Sequence, residues 1–126
     1  MKHTLADAPI HLSRGGGASV LTPTDGAEWY EDYEERTASD GGDGRLVSEF
    51  AMDGDWDHWE MHPDGSEIVY CLSGRFRLHQ ENAGATDLEP GDYTVNAAGV
   101  WHTADVIEPG RALFITVGQG TQHKPR

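Results

Sequence analysis

The sequence is poor in the residues that would commit it to several common roles. Only one of its 126 residues is a cysteine, Cys71, so an intramolecular disulfide is impossible. That thiol sits in an apolar run and is expected to be buried and inert. Basic residues are scarce: 9 Lys and Arg stand against 22 Asp and Glu, for a net charge of −13. No basic stripe offsets this, so the chain should repel phosphate backbones and anionic membrane surfaces, which argues against nucleic-acid binding. No apolar run approaches the ~20 residues that a membrane helix needs. The N-terminal Met1-Lys2-His3-Thr4-Leu5-Ala6-Asp7 lacks the apolar stretch of a signal peptide, so a cytoplasmic location is the expectation.

What the chain has is glycine, 16 residues of it, and a hydrophobic content of 37% spread over a length that fits one domain. Residues 1–25 show no clear period. The triple glycine Gly15-Gly16-Gly17 lacks the Gly-Lys-Ser/Thr of a phosphate loop and reads as a flexible turn. Ala18-Ser19-Val20-Leu21 reads as a short edge strand ended by Thr22-Pro23. Residues 25–38 carry a helical pattern, with Asp25 as cap and Glu28 three residues on, as in a capping box. Trp29 and Tyr33 fall on one face with Tyr30 beside them, as packing residues rather than a ligand platform.

From Arg45 the pattern changes to period two. The strand-like runs are Leu46 to Met52, Trp56 to Met61, Glu67 to Leu72, Arg75 to Gln80, Tyr93 to Asn96, Val100 to Ile107 and Arg111 to Val117. Gly, Pro, Asn and Asp punctuate them. The pattern predicts an all-β fold, a small antiparallel β-barrel or jelly roll, with an N-terminal extension carrying one short helix. The expected organisation is an arm over 1–45, a barrel over 46–118 and a C-terminal tail over 119–126, exposed or serving as an interface arm.

The chemistry concentrates in Trp56-Asp57-His58-Trp59-Glu60-Met61-His62. In a strand every second residue faces the same way, so His58, Glu60 and His62 share one face and Trp59 and Met61 the packing face. Imidazole and carboxylate together suit zinc, iron, manganese or nickel. A hairpin-like return at Pro63-Asp64-Gly65-Ser66 can bring Glu67 beside His62. His102 heads a further alternating run with Ala104 and Val106, which a closed sheet can turn to the same interior.

These spacings resemble the cupin superfamily. Its first motif reads Gly, five residues, His-x-His, three or four residues, Glu, six residues, Gly. Here Gly54, Glu60, His62, Glu67 and Gly74 stand at those places, with glutamate for the first histidine. The second motif reads Gly, five residues, Pro-x-Gly, two residues, His, three residues, Asn. Gly91, Gly99 and His102 match it, while Ala97 replaces the proline and Val106 the asparagine. The likeness spans residues 46–117. The closing Gly-Thr-Gln-His-Lys-Pro and the segment Trp59 to Pro63 are also similar to small bacterial single-domain cupins of unassigned function.

The resemblance implies a divalent metal ion (Mn, Fe, Ni or Zn) held by Glu60, His62, Glu67 and His102. Glu60 has a second reading, as a partner that orients His62 or pairs with Arg75 or Arg77. His58 is the candidate general base, imidazole being the side-chain type suited to proton transfer at neutral pH, or an alternative ligand. The implied function is metal-dependent isomerase or dioxygenase chemistry on a small polar metabolite. The rivals are a non-catalytic module that binds a small molecule or senses metal, and a metal-free structural barrel. A homodimer paired through an N-terminal strand is the partner expectation. Tyr70, Trp101 and Phe114 are candidates for the pocket mouth or for packing. Arg75, Arg77 and His79 share a face that is read as solvated and paired with carboxylates.

Overall fold

In the computed structural model, which describes residues 1–126, nine antiparallel strands and one α-helix, the latter followed by a 3-10 segment over Ala38–Asp43, make up the chain. They are β1 (Ile10–Leu12), β2 (Ala18–Val20), α1 (Gly26–Thr37), β3 (Arg45–Met52), β4 (His58–Met61), β5 (Glu67–Gln80), β6 (Gly84–Leu88), β7 (Tyr93–Asn96), β8 (His102–Thr116) and β9 (Gln122–Pro125). The all-β fold with one short helix is the one that the strand pattern predicts. β8 organises it. β8 pairs with β5 from Ile115–Ile68 to His102–Gln80, and with β3 from Thr116–Leu46 to Gly110–Met52. Its first residue, His102, pairs with Glu60 of β4. β9 lies outside β4, β1 and β2 lie outside β3, and β6 and β7 pair with β5.

Two pairs of expected strands are each one long strand. The Ser73-Gly74 and Pro109-Gly110 signals mark facing irregularities in β5 and β8, where the register shifts between Cys71 and Phe76. Gly74 has φ +79, and a Cβ on Gly110 would fall 2.0 Å from the Ser73 carbonyl oxygen, so only glycines allow the two backbones to touch there. The irregularity also changes the inward parity of β5. Val69 and Cys71 face the core before it, Phe76 and Leu78 after it. With Met52, Leu88, Ala104, Ala112 and Phe114 they form one apolar cluster. Cys71 is buried as expected, and burial with the nearby Asp92 and Glu89 charges pushes its thiol pKa up. On the outer face Arg75 and Arg77 pair with Asp87, and His79 with Asp105, as a solvated charged face should.

The ends of the chain are more structured than the pattern suggests. β1, too short to show a period, pairs with both β2 and β3 within the chain. Asp25 takes the position before α1 but makes no capping hydrogen bond, so the expected capping box does not form. Trp29 and Tyr33 do pack together, their rings stacked 5.5 Å apart. The C-terminal segment, read as an exposed tail or interface arm, is strand β9, in register with β4 from Met61–Gln122 to His58–Pro125. Its brevity and lysine content hid it. Lys124 lies 4.3 Å over the Trp101 ring, and the Arg126 guanidinium reaches the Asp105 carboxylate at 2.6 Å.

Candidate metal centre

Glu60 stands at the centre of a cross of histidines. His58 lies two residues before Glu60 at the start of β4, and His62 two residues after it, just beyond the strand's end. Across the sheet, Glu60 is the register partner of His102 on β8 and of His123 on β9. Register partners on neighbouring strands project to the same face, so the sheet gathers these groups round one carboxylate. Glu67 joins them from the start of β5. It arrives beside His62 as expected, but β4 and β5 are not a paired hairpin; both pair with β8.

The inner part of this group is desolvated. His62 and Glu67 are 3% and 2% exposed, and His102 is fully buried. His62 Nε2 lies 3.1 Å from Glu67 Oε2 and 3.3 Å from Glu60 Oε1, and His102 Nε2 lies 3.1 Å from Glu67 Oε1. Neither nitrogen makes a hydrogen bond despite these distances. Each ring is instead fixed through its other nitrogen. His62 Nδ1 is hydrogen-bonded to the Thr121 hydroxyl at 2.9 Å, and His102 Nδ1 lies 3.4 Å from the Val100 carbonyl. Glu67 is held on both oxygens: Asn96 Nδ2 donates to Oε1 at 3.0 Å and the Thr116 hydroxyl to Oε2 at 2.7 Å.

Burial alone would raise the Glu60 carboxyl, but His123, His62 and His102 outweigh it and hold it well below the usual carboxylate range. Burial likewise opposes ionisation of Glu67, and the two buried imidazoles pull its pKa to about 2. For His62, burial pushes the imidazole pKa down and the Glu60 and Glu67 carboxylates raise it to about 9. The group therefore carries strong mutual charge attraction without aligned N–H donation.

Glu60, His62, Glu67 and His102 each present one ligand atom, all within 4.8 Å of one another. Their residue types fit a divalent metal on the chemistry of the structure itself. Two buried Nε2 atoms are unpaired, their Nδ1 atoms are anchored as in metal-ligating histidines, and two carboxylates supply the opposite charge. The alternative pairing of Glu60 with Arg75 or Arg77 is not formed. Both arginines are engaged by Asp87, and the ion-pair partners of Glu60 are His58, His62 and His123.

A cavity of about 500 Å³ opens onto the centre. Glu60, His62 and Glu67 form its polar floor, and Phe50, Trp56 and Phe114 an aromatic wall. Helix α1 contributes Tyr30, Glu31, Tyr33 and Glu34 to the lining, which contains no lysine or arginine. Of the three aromatic candidates from the sequence, Phe114 lines the cavity while Tyr70 and Trp101 do not. His58 sits at the rim behind Trp56, against whose ring it stacks at 5.2 Å, with Nδ1 3.1 Å from Asp57 and Nε2 3.3 Å from Glu60 Oε2. The imidazole that lines the cavity is His123, 3.2 Å from the same Glu60 oxygen. The sequence reading missed His123, Thr121, Thr116 and Asn96 as site residues. The closing Gly-Thr-Gln-His-Lys-Pro carried a signal for the first two; the others become visible only once the strands are paired.

The family model for the cupin domain (Cupin_2) matches residues 47–118. Solved structures of low identity share the fold. A cupin-like protein from Thermotoga maritima aligns with a TM-score of 0.58 at 18% identity, over 64% of this chain and 65% of that one. A cupin protein from Bacteroides fragilis aligns at 0.54 and 21%, over 69% and 74%. Hydroquinone 1,2-dioxygenase from a Sphingomonas species, with 4-hydroxybenzoate bound, aligns at 0.51 and 14%, over 57% and 58%. No curated protein matches. With the family model covering more than half of its residues, and both motifs converging on the buried His and Glu group, the chain belongs to the cupin domain family.

Proposed function

We propose that Glu60, His62, Glu67 and His102 hold one divalent transition-metal ion, and that the chain acts through it on a small molecule seated in the adjoining cavity. The observation that carries this reading is the pair of buried, unpaired Nε2 atoms beside two carboxylates. Polar groups so placed are costly without a partner, and a cation supplies one to all four.

The cavity narrows the ligand. Its aromatic wall suits a flat apolar body, and its carboxylates without any lysine or arginine disfavour a phosphate or carboxylate tail away from the ion. Of the two chemistries implied by the resemblance, oxidative ring cleavage of an uncharged hydroxylated ring fits these walls better than isomerisation of a phosphorylated sugar or a keto acid. The Sphingomonas protein, a hydroquinone dioxygenase, is an instance of that chemistry on this fold. In such a cleavage both atoms of dioxygen enter the product, so no external reductant is consumed. A bound divalent ion would supply Lewis acidity and, if redox-active, access to dioxygen.

The chain's own residues have separate tasks. Asn96 and Thr116 fix the Glu67 oxygens, and Thr121 fixes the His62 ring. Trp56, Phe50 and Phe114 orient the apolar body. Tyr30 and Tyr33 on α1 complete the lining. His58 lies outside the cavity lining, so its role as base would run through the outer oxygen of Glu60 and not by contact with the bound molecule.

The test is elemental analysis of untagged protein, wild type beside His62→Ala/His102→Ala, after separate reloading with Mn²⁺, Fe²⁺, Ni²⁺ and Zn²⁺. At least one ion per chain in the wild type, and one ion fewer in the variant, is the expected result. Metal-loaded protein should then gain thermal stability from hydroquinone-type phenols and not from sugar phosphates. Absence of bound metal after every reloading would overturn the reading.

A further inference from the structure

The buried centre uses only the inner half of the histidine cross. The outer half consists of His58, His123 and the second oxygen of Glu60, and their ligand atoms also lie within 4.8 Å of one another. We infer that these three groups form a second cation site at the rim, bridged to the buried one through the Glu60 carboxylate and suited to a borderline divalent ion such as Zn²⁺. This goes beyond the proposed function, which needs one ion.

The geometry divides Glu60 between two sets of imidazoles. Oε1 lies 3.3 Å from His62 Nε2, while Oε2 lies 3.3 Å from His58 Nε2 and 3.2 Å from His123 Nε2. A carboxylate that offers one oxygen to each of two ions about 3.5–4 Å apart is the usual bridge of a two-metal site. This gives a physical sense to glutamate at a place where the resembling motif has histidine. An imidazole there would have one nitrogen free and serve one ion; a carboxylate has two oxygens and can serve two.

The outer ligands are positioned before any ion arrives. His58 is stacked on Trp56 with the rings 6° from parallel, and the Asp57 carboxylate lies 3.1 Å from its Nδ1, which turns Nε2 towards Glu60. Carboxylate–imidazole pairs of this kind orient metal-binding histidines. His123 is set by the β4–β9 register, in which it is the partner of Glu60 itself. The two rings sit with centroids 5.4 Å apart. Zinc is bound by imidazole nitrogen and carboxylate oxygen at about 2.0–2.2 Å, and three protein ligands leave a position open. The net charge of −13 favours any cation.

His123 is more than half exposed and His58 about one-third, so the rim ion should bind more weakly than the buried one and exchange with solvent. While the rim ion is bound, His58 is a ligand and not a base, so rim occupancy and base function exclude each other.

The experiment is equilibrium dialysis against buffered free Zn²⁺ with elemental analysis, on the wild type, His58→Ala/His123→Ala and His62→Ala/His102→Ala. Near-ultraviolet circular dichroism checks the fold of each, and His58→Gln/His123→Gln replaces the alanine pair if that pair does not fold. Two ions per chain in the wild type and one in each variant is the expected result, with the rim ion released at the higher free Zn²⁺. With Mn²⁺ in place of Zn²⁺, the spin-resonance spectrum of the wild type should show a coupled pair that either variant abolishes. One ion in the wild type, kept by the rim variant and lost by the inner variant, overturns the rim site and leaves the buried centre standing. The reverse pattern supports the rim site and overturns the buried centre. Two ions in the wild type and still two in the rim variant overturns it as well, because the second ion then sits elsewhere.

Discussion

His11 and His102 are both buried imidazoles that contact carboxylates, and they are completed in opposite ways. His11, 6% exposed, spends both ring nitrogens inside the protein: Nδ1 on the Tyr33 hydroxyl at 2.7 Å and Nε2 on Asp40 at 2.7 Å. The cluster is closed, and it ties β1, α1 and the turn before β3 to one another. Burial raises the Tyr33 phenol to about 12, so it stays a neutral hydrogen-bonding group. His102 and its neighbour His62 use Nδ1 only and leave Nε2 unpaired beside carboxylates. A buried polar atom without a partner is an exception that calls for a reason. The closed cluster is a structural clamp, and the open one has the donor arrangement that the proposed metal site requires.

The sharpest break between them is the response to metal. A ligand that binds only the folded state stabilises it by roughly 4 kcal/mol at a free concentration 1,000-fold above its Kd. For a domain of this size that is roughly 10–20 °C in Tm. Titrating metal-free protein with Zn²⁺ or Mn²⁺ should produce such a rise in the wild type and a much smaller one, from the weaker rim site alone, in His62→Ala/His102→Ala. A comparable rise in that double variant would show that the open cluster is not what the ion recognises.

His11→Ala should do the reverse. It strips both the Tyr33 hydroxyl and Asp40 of a partner and leaves a small cavity, at a cost of about 3 kcal/mol. Denaturant unfolding should show that loss, while metal stoichiometry stays at the wild-type value. If metal content fell along with stability, the two clusters would not be independent and the comparison would fail.

The open cluster should also depend on the groups that brace it. Thr116→Val removes the hydroxyl that donates to Glu67 Oε2 at 2.7 Å while keeping the shape of the side chain. Loss of such a supporting hydrogen bond typically lowers metal affinity about 10–100-fold. Competition with a chelator of known affinity reads this directly, and an unchanged Kd would remove Thr116 from the site.

How much of this was legible in the sequence follows from what each feature depends on. Glu60, His62, Glu67 and His102 could be named because their spacing resembles the two cupin motifs, and the alternation that turns Glu60 and His62 to one face is a local property. Thr116 and Asn96 could not, because their role comes from pairing between distant strands: Glu67 with Asn96 on β7, and Ile68 with Ile115 on β8, which sets Thr116 beside Glu67. β9 was read as a tail for a related reason. Gln122 to Pro125 has no apolar alternation, and its place is set by β4 and by Arg126 rather than by a buried face. The joins in β5 and β8 were read as turns because a glycine signals a turn or a bulge alike, and only the partner strand shows which. The His11 clamp was hidden because β1 spans three residues, too few for a period.

The smallest predicted effect concerns a third histidine–carboxylate pair. His79 Nε2 and Asp105 Oδ2 lie 2.7 Å apart, the same distance as His11 and Asp40, but the side chains are 30% and 29% exposed. Asp105 also accepts from Arg126, and the two partners, Arg126 first, lower its carboxyl to about 2. A carboxyl depressed on folding stabilises the protein above its unfolded pKa, near 3.8, and loses that contribution as the pH falls through about 2. Solvent screening limits the contribution to about 1 kcal/mol or less. Hydrogen exchange of residues 122–124 in metal-free protein, taken relative to the intrinsic rate at each pH, should therefore quicken between pH 4 and pH 2 in the wild type. In Asp105→Asn the same residues should exchange faster already at pH 4 and change little on acidification. Equal exchange in both proteins at pH 4 would mean that the Asp105 contact does not hold β9. An effect as large as that of His11→Ala would mean that contact length, not burial, sets what these pairs are worth.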